Sequence, residues 1–299
     1  MVCSFDNTEQ NDQLKREEGM IVLARHSLDI VSICIVLTPN PFPVFVVRSK
    51  AKISLSEIKV SGEQQTYSML AVVHSDGVVR VLSLVCERMK MGGKGSIVVL
   101  RGGAVEMEDS SFSELETKEG AVVWGQTSER IEVLNSNFTH CRGAEFGSVV
   151  RLTATDCVVV VSNCRFVECW TGVGMKMRST GRGEGGGSVM IEMRGRKGGG
   201  HCAVDLSKSL FMKCVLENTD SSMDEGRFVG GSGFFVFGNG PRQRLDLSGM
   251  MVSDCSCPNV KMADGFDGGM IVWRTQPIHT DLRGIVVKNC IIGSVKLAN

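Results

Sequence analysis

Carboxylates recur at one position of a repeated sequence motif. Five of them are the second residues of later copies: Glu106, Glu132, Asp205, Asp246 and Asp281. Carboxylates held close together repel one another, so they either protonate at a higher pH or gather a cation such as Ca²⁺. Such a column could bind Ca²⁺, and Asp205, Asp246 and Asp281 are the alternative candidates for catalytic residues.

Other residues interrupt this column. Aligned copies of the motif place Lys52, Arg80 and Val160 in it, with Asp29 at its start. The histidines do not recur at any one position; they are His26, His74, His140, His201 and His279. No Ser/His/Asp or Cys/His constellation stands out. The sequence therefore favours a solvated acidic face without a catalytic set or cofactor, and Ca²⁺ remains the alternative.

The motif itself is clearest between Ile131 and Cys141, where the chain reads I-E-V-L-N-S-N-F-T-H-C. Nine copies carry an apolar residue at the place of Phe138; we align Ile35, Ile58, Cys86, Phe112, Phe138, Phe166, Phe211, Val252 and Val287. A glycine followed by a β-branched run, such as Gly120-Ala-Val-Val-Trp124, recurs between them. Each copy therefore contains at least two short strands, which is typical of a β solenoid.

We predict an all-β chain that forms a right-handed parallel β-helix, a solenoid of about nine coils. Equivalent residues of successive coils would stack about 4.8 Å apart. The apolar column would then be an interior stack, with Phe112, Phe138, Phe166 and Phe211 at its centre. Because side chains alternate along a strand, the acidic column would point outward.

A second column lies three residues after the first and is rich in cysteine. Its members are Met89, Leu115, Cys141, Cys169, Cys214, Cys255 and Cys290. These thiols could be small buried side chains, or neighbouring rungs could form disulfides, since a Cα separation near the strand spacing suits both. Paired C-x-x-C motifs are missing, and Cys255-x-Cys257 alone is too sparse for zinc.

The G-x-V run followed by V-x-V-x-x-S-x-F-x-x-C resembles the repeats of chlamydial polymorphic outer-membrane proteins. More generally it is similar to right-handed parallel β-helix proteins of the pectin-lyase-like superfamily. The resemblance covers roughly residues 19–299 and implies the β-helix fold. It implies either an adhesin-like protein at the cell surface or outside the cell, or a polysaccharide lyase or hydrolase whose outward carboxylates work with Ca²⁺.

The charge balance, the N-terminal residues and the longest apolar run limit which partners and locations we expect. Lys plus Arg and Asp plus Glu both number 33, so no global charge attracts nucleic acid. Residues 1–18 are polar and do not resemble a signal peptide; we expect disorder or a weak N-terminal cap there, and the β-helix over 19–299. The apolar run Ile30 to Leu37 is too short to span a bilayer, so we expect no transmembrane segment.

Two insertions break the repeat, near residues 174–200 and 217–232. We expect both to leave the same flank of the solenoid. The leading functional expectation is a non-enzymatic scaffold, part of a longer repeat protein, that binds a protein or glycan through its outward faces and these insertions. The alternative is a polysaccharide lyase or glycoside hydrolase acting through the acidic column.

Overall fold

The structure is a computed structural model. It describes residues 21–37, 43–48, 50–62, 70–91, 96–117, 122–143, 149–173, 182–184, 187–194, 201–218, 227–239, 243–257, 267–274 and 279–292. These ranges contain strands, turns and bends and no helix. The predicted N-terminal segment, residues 1–18, lies outside the described residues. Nowhere in the described ranges is there a helix with the length and hydropathy that crossing a membrane requires.

The strands follow one another in groups that each make one coil. The first three coils are β1 (Ile21–Ala24), β2 (Ser27–Val31), β3 (Cys34–Leu37); β4 (Phe45–Arg48), β5 (Lys52–Ser56), β6 (Lys59–Gly62); and β7 (Ala71–His74), β8 (Val78–Leu82), β9 (Val85–Met91). The next three are β10 (Val98–Gly102), β11 (Ala104–Glu108), β12 (Ser111–Thr117); β13 (Val123–Thr127), β14 (Ile131–Leu134), β15 (Asn137–Thr139), β16 (Arg142–Gly143); and β17 (Val150–Thr155), β18 (Val158–Ser162), β19 (Arg165–Val167), β20 (Trp170–Val173).

An extra strand, β21 (Arg182–Glu184), precedes the last three coils. These are β22 (Val189–Arg194), β23 (Cys202–Asp205), β24 (Leu210–Met212), β25 (Val215–Asn218); β26 (Arg227–Asn239), β27 (Gln243–Asp246), β28 (Met251–Ser253), β29 (Ser256–Cys257); and β30 (Asp267–Arg274), β31 (His279–Asp281), β32 (Val286–Lys288), β33 (Ile291–Ile292).

Each coil gives its first strand to one sheet, its second to another and the rest to a third. Sheet A runs from β1 through β4 and β7 to β26 and β30, sheet B from β2 through β5 to β31, and sheet C from β3 through β6 to β32 and β33. The strand pairs within all three sheets are parallel. The predicted all-β parallel β-helix is therefore confirmed, with nine coils in the described part of the chain.

The interior apolar column lies in sheet C. Phe112 pairs with Phe138, Phe138 with Phe166, and Phe166 with Phe211, and all four side chains are fully buried. The alignment of the second coil was wrong by two residues, because Ile35 pairs with Val60 and Val60 with Cys86. Ile58 instead lies at the turn before this strand, where it is also buried.

The turn between sheets B and C repeats one backbone conformation in every coil. Its residue with positive φ is, coil by coil, Ser32, Glu57, Ser83, Asp109, Asn135, Asn163, Lys208, Gly249 and Gly284. Glycine, Asn and Asp tolerate this left-handed conformation better than other residues, which explains much of the composition of this turn. Asn163 Nδ2 donates to Asn135 Oδ1 at 2.8 Å, so the turns also bond to one another.

Sheet C bends at a second left-handed position. From the fifth coil on, this residue lies two residues before the first residue of the last strand of the coil, as His140 does before Arg142. The residues with positive φ there are Arg88, Glu114, His140, Glu168, Lys213, Asp254 and Asn289. Beyond the bend the chain resumes its parallel pairing, as in Arg142 with Trp170. The bend turns the cysteine column inward and leaves a row of mostly charged side chains at the surface.

Sheet A differs from the other two because its middle is covered on both faces. Val46, Val72 and Val99 lie between inward residues of β4, β7 and β10, yet each is buried. Continuous apolar runs rather than alternation mark strands covered on both sides. The glycine-strand runs of the sequence therefore report this double coverage.

Parts of the two predicted insertions form strand. Arg182–Glu184 of the first pairs in parallel with Arg227–Val229 of the second, at the edge of sheet A. The described parts of both insertions therefore add strand to the same sheet. Residues 174–181, 185–186, 195–200 and 219–226 lie outside the described residues.

Candidate functional site

The acidic column lies on sheet B and follows the strand register. Glu106 pairs with Glu132, Asp205 with Asp246, and Asp246 with Asp281. Lys52 is not a member, since Asp29 pairs with Ser54 and Ser54 with Arg80. The corrected column is Asp29, Ser54, Arg80, Glu106, Glu132, Val160, Asp205, Asp246 and Asp281. It still carries two acidic groups separated by Val160.

The three aspartates each bond to the turn that follows them. The backbone N–H of Ser207 donates to Asp205 Oδ1 at 2.8 Å, and that of Ser248 donates to Asp246 Oδ1 at 3.0 Å. The backbone N–H of Arg283 donates to Asp281 Oδ1 at 3.1 Å. An Asp that binds the N–H two residues later is an Asx turn, which fixes the reversal of the chain. These carboxylates therefore help to build the turn into sheet C.

Arginine side chains neutralise several members of the column. The Arg80 guanidinium donates to Glu106 Oε2 at 2.7 Å, and Arg130 forms an ion pair with Glu132. Arg283 holds Asp281 with both ends of its guanidinium, at 2.6 Å from Nη2 to Oδ2 and 3.0 Å from Nε to Oδ1. These hydrogen bonds lower the pKa of Asp281 to about 2. A carboxyl held ionised in this way cannot donate a proton near neutral pH.

The described residues also lack a set of ligands for a metal. Nowhere among them do three or more His, Cys, Asp or Glu side chains converge as a metal site would require. His140 contacts Glu168 on sheet C and His279 lies on β31, so the histidines do not meet in one groove. Within the part of the chain that the structure describes, Glu106, Glu132, Asp205, Asp246 and Asp281 thus each have a hydrogen-bond or ion-pair partner of their own.

The cysteine column forms a continuous ladder behind the bend of sheet C. Strand pairing places Cys141, Cys169, Cys214, Cys255 and Cys290 on successive coils. Each Sγ lies within donating distance of the anchor carbonyl one coil earlier, for example 3.5 Å from Cys169 Sγ to Phe138 O and 3.4 Å from Cys214 Sγ to Phe166 O. The ladder therefore ties the bend to the interior aromatic stack.

None of the cysteines among the described residues is in a disulfide bond. Of the two alternatives for the ladder, the structure contains the row of buried thiols and no disulfide between rungs. Burial raises the pKa of Cys169 and Cys214 well above the usual value for a thiol, and raises that of Cys86 to about 12. A buried neutral thiol is a poor nucleophile, so the ladder is suited to packing and not to catalysis.

A surface that the sequence did not reveal lies on the outer face of sheet C in the last coils. We call it the sheet C apolar surface; its residues are Trp170, Leu210, Met212, Val215, Met251, Val286 and Ile291. Met251 is 37% exposed and Ile291 is 66% exposed, and Leu210, Met212 and Val215 are half-buried. The corresponding face of earlier coils carries Lys59, Ser111 and Asn137.

A row of charges divides this surface along the bend. Lys213 Nζ lies 3.0 Å from Glu168 Oε1, and His140 Nε2 lies 2.5 Å from the other oxygen of Glu168. Lys213 and His140 hold the pKa of Glu168 below its ordinary value. Alternating charge continues in both directions, from Arg88 and Glu114 to Asp254. The charged row therefore separates one apolar strip on each side of the bend.

The sequence analysis missed two features of the structure, one that had a signal in the sequence and one that had none. The turn-capping role of the aspartates was visible in D-L-S and D-L-R-G, where Asp stands two residues before the turn and Gly follows it in two coils. The sheet C apolar surface was not visible, because Leu210 and Met251 have no special type and only the register puts them side by side.

The chain matches no family model, and comparisons with curated proteins and with solved structures find no match either.

Proposed function

We propose that this chain is a non-enzymatic β-helix scaffold that binds a protein or a glycan through its outward faces. The observation that carries the proposal is the use of the acidic column within the fold. Asp205, Asp246 and Asp281 cap their own turns, and the Arg283 guanidinium keeps Asp281 ionised. A retaining or inverting hydrolase needs one carboxyl that is protonated near neutral pH and one free carboxylate opposite it.

The binding part of the proposal rests on the sheet C apolar surface. Exposed apolar side chains such as Met251 and Ile291 are grouped there, whereas earlier coils carry mainly polar residues in the same columns, with apolar exceptions such as Val85. Grouped exposure of this kind marks interaction sites, and Met adapts its shape to a partner. The resemblance to chlamydial polymorphic outer-membrane repeats and to the pectin-lyase-like superfamily favours an adhesin-like protein at the cell surface.

Incubation with anionic and neutral polysaccharides tests the non-enzymatic claim. With and without Ca²⁺, we expect neither new reducing ends nor unsaturated products above a blank without protein. Turnover that the Asp246→Asn variant abolishes would establish the enzyme alternative, because that variant keeps the turn-capping oxygen and removes the charge.

A surface-binding panel of glycans and extracellular proteins tests the binding claim. Any ligand found should be lost in Met251→Lys and kept in Ser111→Lys. Ser111 is a matched control because it occupies the same outward column on an earlier coil and is also exposed. Equal loss in both variants would count against the sheet C apolar surface as the binding site.

A further inference from the structure

The turn from sheet A to sheet B carries a cluster of basic side chains in the first four coils. We call this cluster the basic corner; its residues are Arg25, Arg48, Lys50, Lys52, His74 and Arg101. Arg25, Lys50, Lys52 and Arg101 are exposed, and Arg48 and His74 are half-buried. Because Lys plus Arg and Asp plus Glu both number 33 in the whole chain, the cluster is a local separation of charge.

The strand register places the basic corner in three adjacent columns. His74 pairs with Arg101 at the end of sheet A. Arg25 and Lys50 stand two residues before the paired Ser27 and Lys52, and both have positive φ, 62° and 67°. Since neighbouring coils lie about 4.8 Å apart, the cluster extends about 14 Å along the solenoid.

The exposed cations of the basic corner are not neutralised within the described ranges. Arg25, Lys50, Lys52 and Arg101 form no ion pair with any residue there. The same corner of later coils differs, because its arginines are held by carboxylates, as in Arg130 with Glu132 and Arg194 with Glu192. The basic corner therefore offers its positive charge to an external anion.

The surroundings of these cations indicate which anion fits. The long side chains project from a convex turn into solvent, so they do not form a pocket of fixed shape. Phe, Tyr and Trp, on which a sugar or a base could stack, do not occur among the described residues of the corner, 24–27, 48, 50–52, 74–78 and 101–104. Phospholipid head groups need neither feature, because they diffuse in the bilayer and gather at the cations.

We infer that the basic corner binds the surface of a membrane that contains anionic phospholipids. Each Lys or Arg close to such a surface raises the affinity by a factor of about five. The contact is peripheral and reversible, since it uses charge alone. The basic corner lies on sheets A and B, away from the sheet C apolar surface, so this inference does not rest on the proposed function.

Sedimentation of the full chain with lipid vesicles tests the inference. Vesicles of phosphatidylcholine mixed with phosphatidylserine should carry the protein into the pellet, and vesicles of phosphatidylcholine alone should leave it in solution. Raising the NaCl concentration should release the protein, because the Debye length falls from about 10 Å in 0.1 M salt to about 3 Å in 1 M salt.

Two double variants that lose the same charge locate the site. Lys50→Asn combined with Lys52→Gln should weaken binding to the mixed vesicles by about 25-fold, at a factor of about five for each charge. Lys59→Gln combined with Lys90→Gln is the matched control and should leave binding unchanged. Both control lysines are exposed in the second and third coils, but they lie on sheet C.

Asp76 provides a variant with the opposite effect. This exposed carboxylate lies in the column of Lys50, since Lys52 pairs with Val78. Asp76→Asn should strengthen binding by about fivefold, because it removes a negative charge from the corner. Asn tolerates the left-handed backbone there, with φ of 61°, so the fold should be unchanged. Asp109→Asn, at an exposed left-handed position between sheets B and C, is the control.

The inference fails on any of three results. The first is a wild-type chain that binds anionic vesicles no better than neutral ones. The second is equal weakening by the two double variants, which would place the lipid contact elsewhere on the solenoid. The third is binding of dextran sulfate or of an oligonucleotide through Lys50 and Lys52 by a chain that no vesicle retains, which would assign the corner to a soluble polymer.

Discussion

The rings of Phe138 and Phe166 stack face to face on adjacent coils, with centroids 5.0 Å apart and planes 9° apart. This separation is close to the spacing of neighbouring strands, about 4.8 Å, so the backbone register imposes the stack. Phe112 and Phe211 extend it in both directions at 5.0 Å and 4.7 Å. The aromatic column thus follows the strand register of four consecutive coils.

Replacing Phe138 with Ala should therefore remove a ring that has partners above and below it. We expect a loss of about 3–5 kcal/mol in the free energy of unfolding, measured by chemical denaturation. Thr139→Ala is the control, because Thr139 is the next residue and is only half-buried; its cost should stay near 0.5 kcal/mol. A loss below about 1 kcal/mol for Phe138→Ala would show that the interior register is wrong.

Two substitutions of Asp246 test whether the fold needs its turn-capping hydrogen bond or its charge. Asp246→Ala removes the acceptor of the Ser248 N–H and should cost about 1 kcal/mol of stability. Asp246→Asn keeps an oxygen at that place and should restore most of the loss. Thermal unfolding of the two variants gives the comparison. If Asn were as harmful as Ala, the charge of Asp246 and not its turn-capping hydrogen bond would be what the fold requires.

Lys208 occupies the left-handed turn position with φ of 56°, and glycine fills the same position in the next two coils, as Gly249 and Gly284. A side chain at such φ costs about 1 kcal/mol, which exceeds the extra entropy that glycine loses on folding. Lys208→Gly should raise the free energy of unfolding by about 0.5 kcal/mol. Lys52→Gly, at the exposed first residue of strand β5 in sheet B, should instead lower it by about 0.5 kcal/mol. A lower free energy of unfolding for Lys208→Gly would show that the left-handed backbone at this turn does not strain the Lys208 side chain.

Thiol labelling without reductant tests the cysteine ladder. Cys34 is exposed, whereas Cys141, Cys169 and Cys214 are buried. A thiol reagent should therefore label Cys34 quickly in the native protein, label the half-buried Cys290 more slowly, and reach Cys141, Cys169 and Cys214 only on unfolding. Cys34→Ser should lose one equivalent of fast labelling. Fast labelling of the ladder, or thiols missing after unfolding, would contradict a row of buried free thiols.

The sequence allowed most of the fold to be predicted because its repeat is periodic in both type and spacing. Phenylalanine at Phe112, Phe138, Phe166 and Phe211 fixed the phase of the middle coils. The second coil slipped by two residues because side chains alternate with period two, so K-I-S-L-S fits the motif equally well in either position. Only the pairing of Ile35 with Val60 settles that register.

The candidate site was less predictable, since residue type does not report what a side chain bonds to. The column of acids was found, but its hydrogen bonds to Ser207, Ser248 and Arg283 depend on the conformation of the turn. The sheet C apolar surface depends on which outward residues the register brings together. The burial of sheet A on both faces, by contrast, is visible in the sequence, because its strands are unbroken apolar runs.

We propose that the acidic column serves the fold, and we predict that it does not bind Ca²⁺. Calorimetric titration with Ca²⁺ tests this claim most directly. The wild type and a variant with Asp205, Asp246 and Asp281 all replaced by Asn should both give no binding heat and no change in melting temperature on adding Ca²⁺. A stoichiometric heat in the wild type that disappears in the triple variant would contradict the account and restore the acidic column as a functional site.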